Sequence, residues 1–362
     1  MIIETTIFFI RWIFELRSTV LFRSWEIEAK TDISLLVDIK SVMGKGTRYG
    51  LVLPNKTFDQ AASPLMLKEF AQRSEELGFD SLWTLDRLFH DTIYALDCFA
   101  TLSYVGSVTN KVRLGTAGLL LPLWPPALLA KVVSSLDHLS NGRFVLGISF
   151  GGGSKLMDEY EACGVSIQGR VTRFVQALET LRRLWSEDSV TYEARGWRLR
   201  NATMLPKPTQ KEGVPILIGS FQENSLKRTA KLGNGWIGGG LMGPEKFKLS
   251  LEKVQKYASA FGRDPEDLEI AKVTYFCIDS DTDKSQRELQ SWLSRYYGTE
   301  SSRFFGSLNA SEVAVFGTAK ECTEKLQKLV NAGVGTFILF PLRPELEQIE
   351  QLASDVIPAL TK

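Results

Sequence analysis

Few side chains in this chain of 362 residues are equipped to catalyse a reaction on their own. Its only histidines are His90 and His138, and its four cysteines, Cys98, Cys163, Cys277 and Cys322, stand far apart with no metal-ligand spacing. Neither histidine has a recognisable serine or cysteine partner in sequence. The densest polar group follows the apolar run "DSLWTL", where Asp86, Arg87 and His90 stand together. A carboxylate, a guanidinium and an imidazole so placed could orient a polar ring or move a proton, which makes Asp86 and His90 the candidate catalytic side chains. An Asp86–Arg87 arrangement that merely caps its loop would leave the same pattern. His138, in "LDHLSNGR", lies on a helical stretch before a turn and reads as a surface or capping residue.

Glycine clusters are the second resource: "GISFGGG" (147–153), "IGS" (218–220) and "IGGG" (237–240). Gly219, Ser220, Gly238 and Gly239 could offer backbone N–H groups to a phosphate. None of these loops closes with Gly-Lys-Ser/Thr, so no P-loop is present, and "GISFGGG" departs from the Gly-x-Gly-x-x-Gly spacing, which makes a Rossmann reading weak. In "GTAGLLLP", Thr116, Ala117 and Gly118 are small enough for a flat ring to lie against the chain, although close helix–strand packing would use the same residues.

The elements that would position these residues alternate along the chain. Strand-like runs at 49–54, 80–86, 112–120, 144–150, 215–220, 235–240, 268–278 and 336–341 are separated by helical stretches such as 64–78, 95–109, 125–140, 171–185 and 244–262. A hairpin-like excursion covers 190–205, and insertions cover 152–170 and 281–312. The strands are continuously apolar rather than alternating, as strands buried on both faces are. Eight such units predict an α/β fold, a (β/α)8 barrel, in preference to an open doubly wound sheet. Every candidate above then falls at the C-terminal end of a strand, where barrel sites lie. Small, uncharged strand ends with few reactive side chains point to a cofactor that carries the chemistry.

Composition narrows the partners. Hydrophobic residues make up 44% and charged residues 23%, as in a globular protein, and 43 Lys and Arg against 42 Asp and Glu leave a formal charge of +1. So even a balance gives no electrostatic reason to expect nucleic acid or an anionic membrane as partner. With two histidines and no carboxylate cluster, no metal is expected. "TIFFIRWIF" (6–14) is broken by Arg11, falls short of the ~20 residues a membrane helix needs, and is followed by no small-residue cleavage site. The expected location is therefore the cytoplasm, with reduced cysteines. The orderly pattern begins after "VMGKGTRYGLVLPN", so residues 1–47 are read as an N-terminal extension, with Met43 a natural start or the first segment an accessory element, and residues 48–362 as the barrel domain.

"EELGFDSLWTLDR", "VRLGTAGLLLPLWPPALLAKVVSSLDHLSNGRFVLGIS", "DEYEACGV", "PILIGS…LKRTAKLGNGWIGG" and "VFGTAKECTEKLQKLVNAGVGTFILFP" occur in this order, and over residues 48–345 the chain resembles the bacterial-luciferase-like flavin oxidoreductases. The resemblance implies a TIM barrel with insertion segments that holds reduced FMN or coenzyme F-420 at its mouth. FMN members activate O2 and insert one oxygen into a substrate; F-420 members transfer a hydride at the equivalent ring carbon. By match of motif, Asp86 falls at the polar position near the ring. Ala117 and Gly118 fall where the family places a bulge, often with a non-prolyl cis peptide, behind the ring. Phe150 and Gly151 match the fourth-strand end, and Gly219, Ser220, Gly238 and Gly239 the phosphate side. Arg87 stands where many members have His, Gly152 where some F-420 enzymes have Glu, Gln176 where a helical Glu is usual beside the retained Arg173, and Asn234 where Asp is frequent. Acid or base roles known for particular F-420 dehydrogenases therefore do not carry over to Arg87 and Gly152.

The leading expectation is a flavin-dependent monooxygenase acting on a small organic substrate with reduced FMN, served by a separate flavin reductase. The alternative is an F-420-dependent reductase or dehydrogenase, and a third is a non-catalytic flavin-binding protein. A homodimer is the family-level expectation.

Overall fold

The computed structural model describes residues 46–151, 155–297 and 309–360. Residues 1–45 of the segment read as an extension, and Gly152, where some F-420 enzymes have Glu, lie outside them. Eight strands carry the architecture: β1 (Arg48–Val52), β2 (Ser81–Thr84), β3 (Arg113–Thr116), β4 (Phe144–Ser149), β5 (Ile216–Gly219), β6 (Gly235–Gly238), β7 (Glu269–Ile278) and β8 (Thr336–Pro341). Each pairs in parallel with the next. β8 returns to β1 from Arg48↔Thr336 to Leu51↔Leu339, so the sheet has no edge and the barrel is closed. Seven fall within the apolar runs of the sequence and β1 begins one residue before its run, as the (β/α)8 expectation requires.

The helices, in chain order, are α1 (Pro64–Glu76), α2 (Cys98–Val108), α3 (Pro126–Leu139), α4 (Leu156–Ala162), α5 (Arg170–Ser186), α6 (Glu223–Leu232), α7 (Pro244–Ala260), α8 (Thr282–Tyr297), α9 (Ala310–Val313), α10 (Ala319–Asn331) and α11 (Leu346–Gln351). Local chemistry sets their ends. α1 starts with Pro64 after an N-cap Ser63 whose hydroxyl accepts from the Met66 N–H, and it stops before Gly78, which takes φ 83°. The 190–205 excursion is an antiparallel hairpin, Val190–Ala194 against Trp197–Ala202.

Burial on both faces explains the apolar strands. Trp83, Val145, Leu217, Ile237, Ala271, Val273 and Ile338 pack together inside the barrel. On β7 the alternate residues Lys272, Thr274 and Phe276 are fully buried as well, under the helical layer. At the N-terminal end of the barrel one carboxylate joins four strands. Glu269 of β7 takes a bidentate bond from Arg113 of β3 at 3.0 Å for each pair, an ion pair from Arg48 of β1 at 3.1 Å and the Thr336 hydroxyl of β8 at 3.1 Å. Conservative exchange there would loosen the barrel rather than its chemistry.

Lys272 breaks the apolar rule. Its side chain is fully buried, its Nζ donates to the Val273 carbonyl at 2.9 Å, and burial pushes its pKa down to about 7. The unfolded chain holds that proton up to the ordinary lysine value of 10.5, whereas the folded protein releases it near 7. Folding stability therefore rises with pH across this interval, by about 1.4 kcal/mol per unit. We expect Lys272→Met to be the more stable protein at pH 7, with its advantage over wild type shrinking steadily up to about pH 9.5. Parallel stability curves in urea would refute this account of Lys272.

Candidate active site

The mouth is built where strand pairing changes hands. β3 ends at Thr116, and the chain pairs with β4 again through Leu119–Leu120 against Ile148 and Ser149. Between them the Ala117–Gly118 peptide is cis. Ala117 N–H donates to Thr84 O at 2.8 Å, and Leu120 N–H donates to Asp86 Oδ2 at 2.9 Å. The Asp86 carboxylate also takes the Cys98 thiol, and burial raises its pKa although the Leu120 bond and the nearby Lys56 ammonium oppose this. Lys56 itself donates to Asp86 O at 3.1 Å and to Tyr296 Oη at 3.3 Å.

His90 has both ring nitrogens engaged. Thr92 N–H donates to Nδ1 at 3.2 Å, so Nδ1 carries no proton and Nε2–H donates to Tyr296 O at 3.0 Å. The ring thus clamps the loop after β2 to the end of α8, and burial lowers its pKa. Arg87 is committed as well. Its Nε lies 3.2 Å from Glu159 Oε1 of α4, and the same carboxylate oxygen accepts the N–H groups of Leu88 and Phe89 at 2.9 and 3.1 Å. Glu159 is fully buried, and sequence reasoning missed it: 72 residues separate it from Arg87 and nothing in its local pattern signals burial. A cleft of about 580 Å³ opens beside this loop, lined by Leu88, Phe89, His90, Asp91, Lys155 and Asp158 among others, and among the described residues no strand-end glycine borders it.

The remaining candidates divide by the direction they face. Ala117 belongs to the barrel-interior cluster. A Cβ at Gly118 would stand 3.1–3.3 Å from the Ile148 backbone, so this glycine admits the neighbouring strand. A Cβ at Gly238 would meet Phe247 of α7 at 2.6 Å, so Gly238 faces the helices; at Gly239 nothing lies within 4 Å, and this position opens to the mouth. At Gly219 only ordinary contacts at 3.5 and 3.6 Å would arise. Ser220 N–H reaches Ile237 O at 3.4 Å. Because Thr229 donates its hydroxyl proton to Ser225 O, the 2.9 Å contact between Ser220 and Thr229 spends the Ser220 proton. Phe150 stacks on Phe174 of α5 with centroids 4.0 Å apart, and Arg228 of α6, which sequence reasoning also missed, lies over its ring at 5.3 Å. Gly151, at φ 79°, turns the chain away after β4. The opposite side, at β7 and β8, is filled by Tyr275, Trp292, Tyr296, Tyr297 and Phe340, with Trp292 stacked on Tyr296 at 4.7 Å. Among the described residues no group of His, Cys, Asp or Glu could hold a metal ion, and no helix is long and apolar enough to cross a membrane.

A closed barrel with its small residues at the strand ends places this protein among the TIM-barrel enzymes. Residues 47–336 match the model of the luciferase-like monooxygenases, and the chain belongs to that family of oxidoreductases. Among curated proteins it is 27% identical to an F420-dependent glucose-6-phosphate dehydrogenase of Kineococcus radiotolerans, covering 86% of this chain and 97% of that protein. It is 25% identical to the enzyme of the same name from Amycolatopsis mediterranei, covering 82% and 95%. Similar solved structures include an F420-dependent secondary alcohol dehydrogenase (TM-score 0.73, 22% identity, 87% of this chain and 98% of that one). They also include the FMN-bound oxygenating constituent of a Pseudomonas putida diketocamphane monooxygenase (TM-score 0.73, 17% identity, 87% and 99%).

Two outcomes follow from the loop geometry. Glu159→Gln should leave the global fold intact while amide exchange at Leu88 and Phe89 speeds up roughly tenfold or more; unchanged exchange would show that the carboxylate charge does not hold the loop. For His90, whose folded pKa lies below the ordinary 6.5, the clamp is complete above 6.5 and is lost as pH falls toward the folded value. Proteolysis of the loop at residues 87–95 should therefore accelerate on acidification below about pH 6.5, and His90→Gln should abolish that pH dependence.

Proposed function

We propose that this chain holds the deazaflavin coenzyme F-420 at the barrel mouth and passes a hydride between it and a small organic substrate. The supporting observation is the nearly full-length likeness to two F420-dependent dehydrogenases. The residues present suit such a group. Ala117 and Gly118 make a side-chain-poor wall, and Gly219 and Gly239 leave room at the ends of β5 and β6. When bound, F-420 supplies the hydride chemistry at its ring carbon. The protein's share is to place the ring and keep water out. Asp86 holds the interrupted β3 in register under the ring wall. The aromatic group on β7, β8 and α8 closes the opposite side, and Lys56 ties it to the loop after β2. In this proposal residues 48–362 form the catalytic unit, 1–47 an N-terminal extension, and the assembly is a homodimer.

One observation favours reduced FMN with O2 instead. Asp86 and His90 are both spent on backbone groups, and oxygen insertion carried by the flavin asks no acid or base of the protein. A separate flavin reductase would then supply the reduced cofactor.

Anaerobic titration with F-420 and with reduced FMN distinguishes the two. We expect F-420 to bind at least about tenfold more tightly. Tighter FMN binding with O2 consumption would establish the second reading, and binding of neither would overturn both. Gly239→Val should keep the thermal midpoint and weaken cofactor binding roughly tenfold or more; undiminished affinity would remove Gly239 from the site.

A further inference from the structure

Arg228 has no assignment in the site so far. It lies on α6, the helix that follows β5, and its guanidinium carbon sits 5.3 Å from the centroid of the Phe150 ring, which is also stacked on Phe174. Helical side chains slant toward the N-terminus of their helix. α6 begins at the mouth, so this slant carries the guanidinium up to the level of Phe150 and the β5 end. There its Nε is buried and has no hydrogen-bond partner. Arg143, Arg173 and Arg182, also withdrawn from solvent, each donate to backbone carbonyls, at Val112, Pro122 and Leu232. Arg87 and Arg113 have carboxylates. Burial acts on Arg228 with no counter-charge to offset it. A guanidinium over an aromatic ring whose buried Nε lacks an acceptor is suited to an oxyanion.

We propose that Arg228, held on Phe150, binds the phosphoryl group on the side chain of the isoalloxazine-type cofactor. This deepens the cofactor reading above and rests on it for the identity of the ligand. It adds a charged donor on the helix after β5 to the backbone N–H groups of Gly219, Ser220, Gly238 and Gly239 expected from the sequence.

The test compares phosphorylated and unphosphorylated forms of one chromophore on the full chain: FMN against riboflavin, and F-420 against its deazaflavin ribityl head without the phosphate. Arg228→Met should weaken the phosphorylated ligand roughly 10- to 100-fold and leave the unphosphorylated one unchanged, with Arg228→Lys intermediate because an ammonium keeps the charge and loses the fork. Equal weakening of both forms, or of neither, would overturn the assignment while leaving cofactor binding intact. A second measurement is independent of any flavin: the Arg228 Nε–H resonance should shift saturably with inorganic phosphate. If no chromophore binds and that shift occurs, the anion site stands and the cofactor reading falls; if the resonance does not respond and no chromophore binds, both fall.

Discussion

Backbone hydrogen bonding at the end of β3 is the constraint on which the mouth depends. A strand that leaves its ladder must hand its buried N–H groups to other acceptors. Here Ala117 turns to Thr84 and Leu120 turns to Asp86. The second of these makes a carboxylate part of the sheet. Asp86 is therefore held below the opening, with Cys98 and Lys56 around it, and Lys56 in turn reaches Tyr296 on α8. His90 joins the same helix from the same loop, and Arg87 joins that loop to α4 through Glu159. The insertions after β4 and β7 are thus fastened to one loop, and that loop starts at the residue that completes β3.

This arrangement consumes the reactive groups. In an enzyme that works by side-chain acid–base chemistry, titratable groups in the cleft are poised near their working pH with an open valence. Asp86, His90 and Arg87 instead have their bonding capacity directed at N–H groups, carbonyls and a buried carboxylate. What the mouth still offers is shape: a wall of small residues on one side and a block of aromatic rings on the other. Under the cofactor reading proposed above this division is physically reasonable, because electron transfer would reside in the bound ring and the protein would supply placement and dryness.

The barrel was legible in the sequence because its signal is local. Continuous apolar runs, Pro at helix starts and Gly78 past a helix end each record one element's own requirements, and eight of them in alternation leave one closed arrangement. The candidate site was legible in outline, since any barrel brings the strand ends together. Partners were not. Glu159 lies in a short helix of the insertion after β4 and looks like any surface acid until the fold buries it over Arg87. His90 carries the most suggestive side chain in the chain, yet only tertiary structure shows Thr92 and Tyr296 occupying its two nitrogens. Lys272 sits in a strand whose neighbours are apolar, and its burial follows from the helical layer, which no window of sequence around it describes.

The glycines show most clearly what a sequence leaves undetermined. "GGG" at 238–240 reads as one flexible patch, but each of its glycines meets different surroundings as the chain leaves β6. Gly238 faces outward, and its missing side chain is filled by Phe247. Gly240 faces Tyr275, whose ring would lie 2.5 Å from a Cβ there, so this glycine is what lets the aromatic block lean across from β7. Gly239 alone faces open space. Two of the three therefore serve packing, and they act on opposite sides of the wall they belong to: one draws a helix in against the barrel, the other draws the aromatic block over its mouth. The room left between those two constraints lies at Gly239 and beside Gly219, at the ends of β6 and β5.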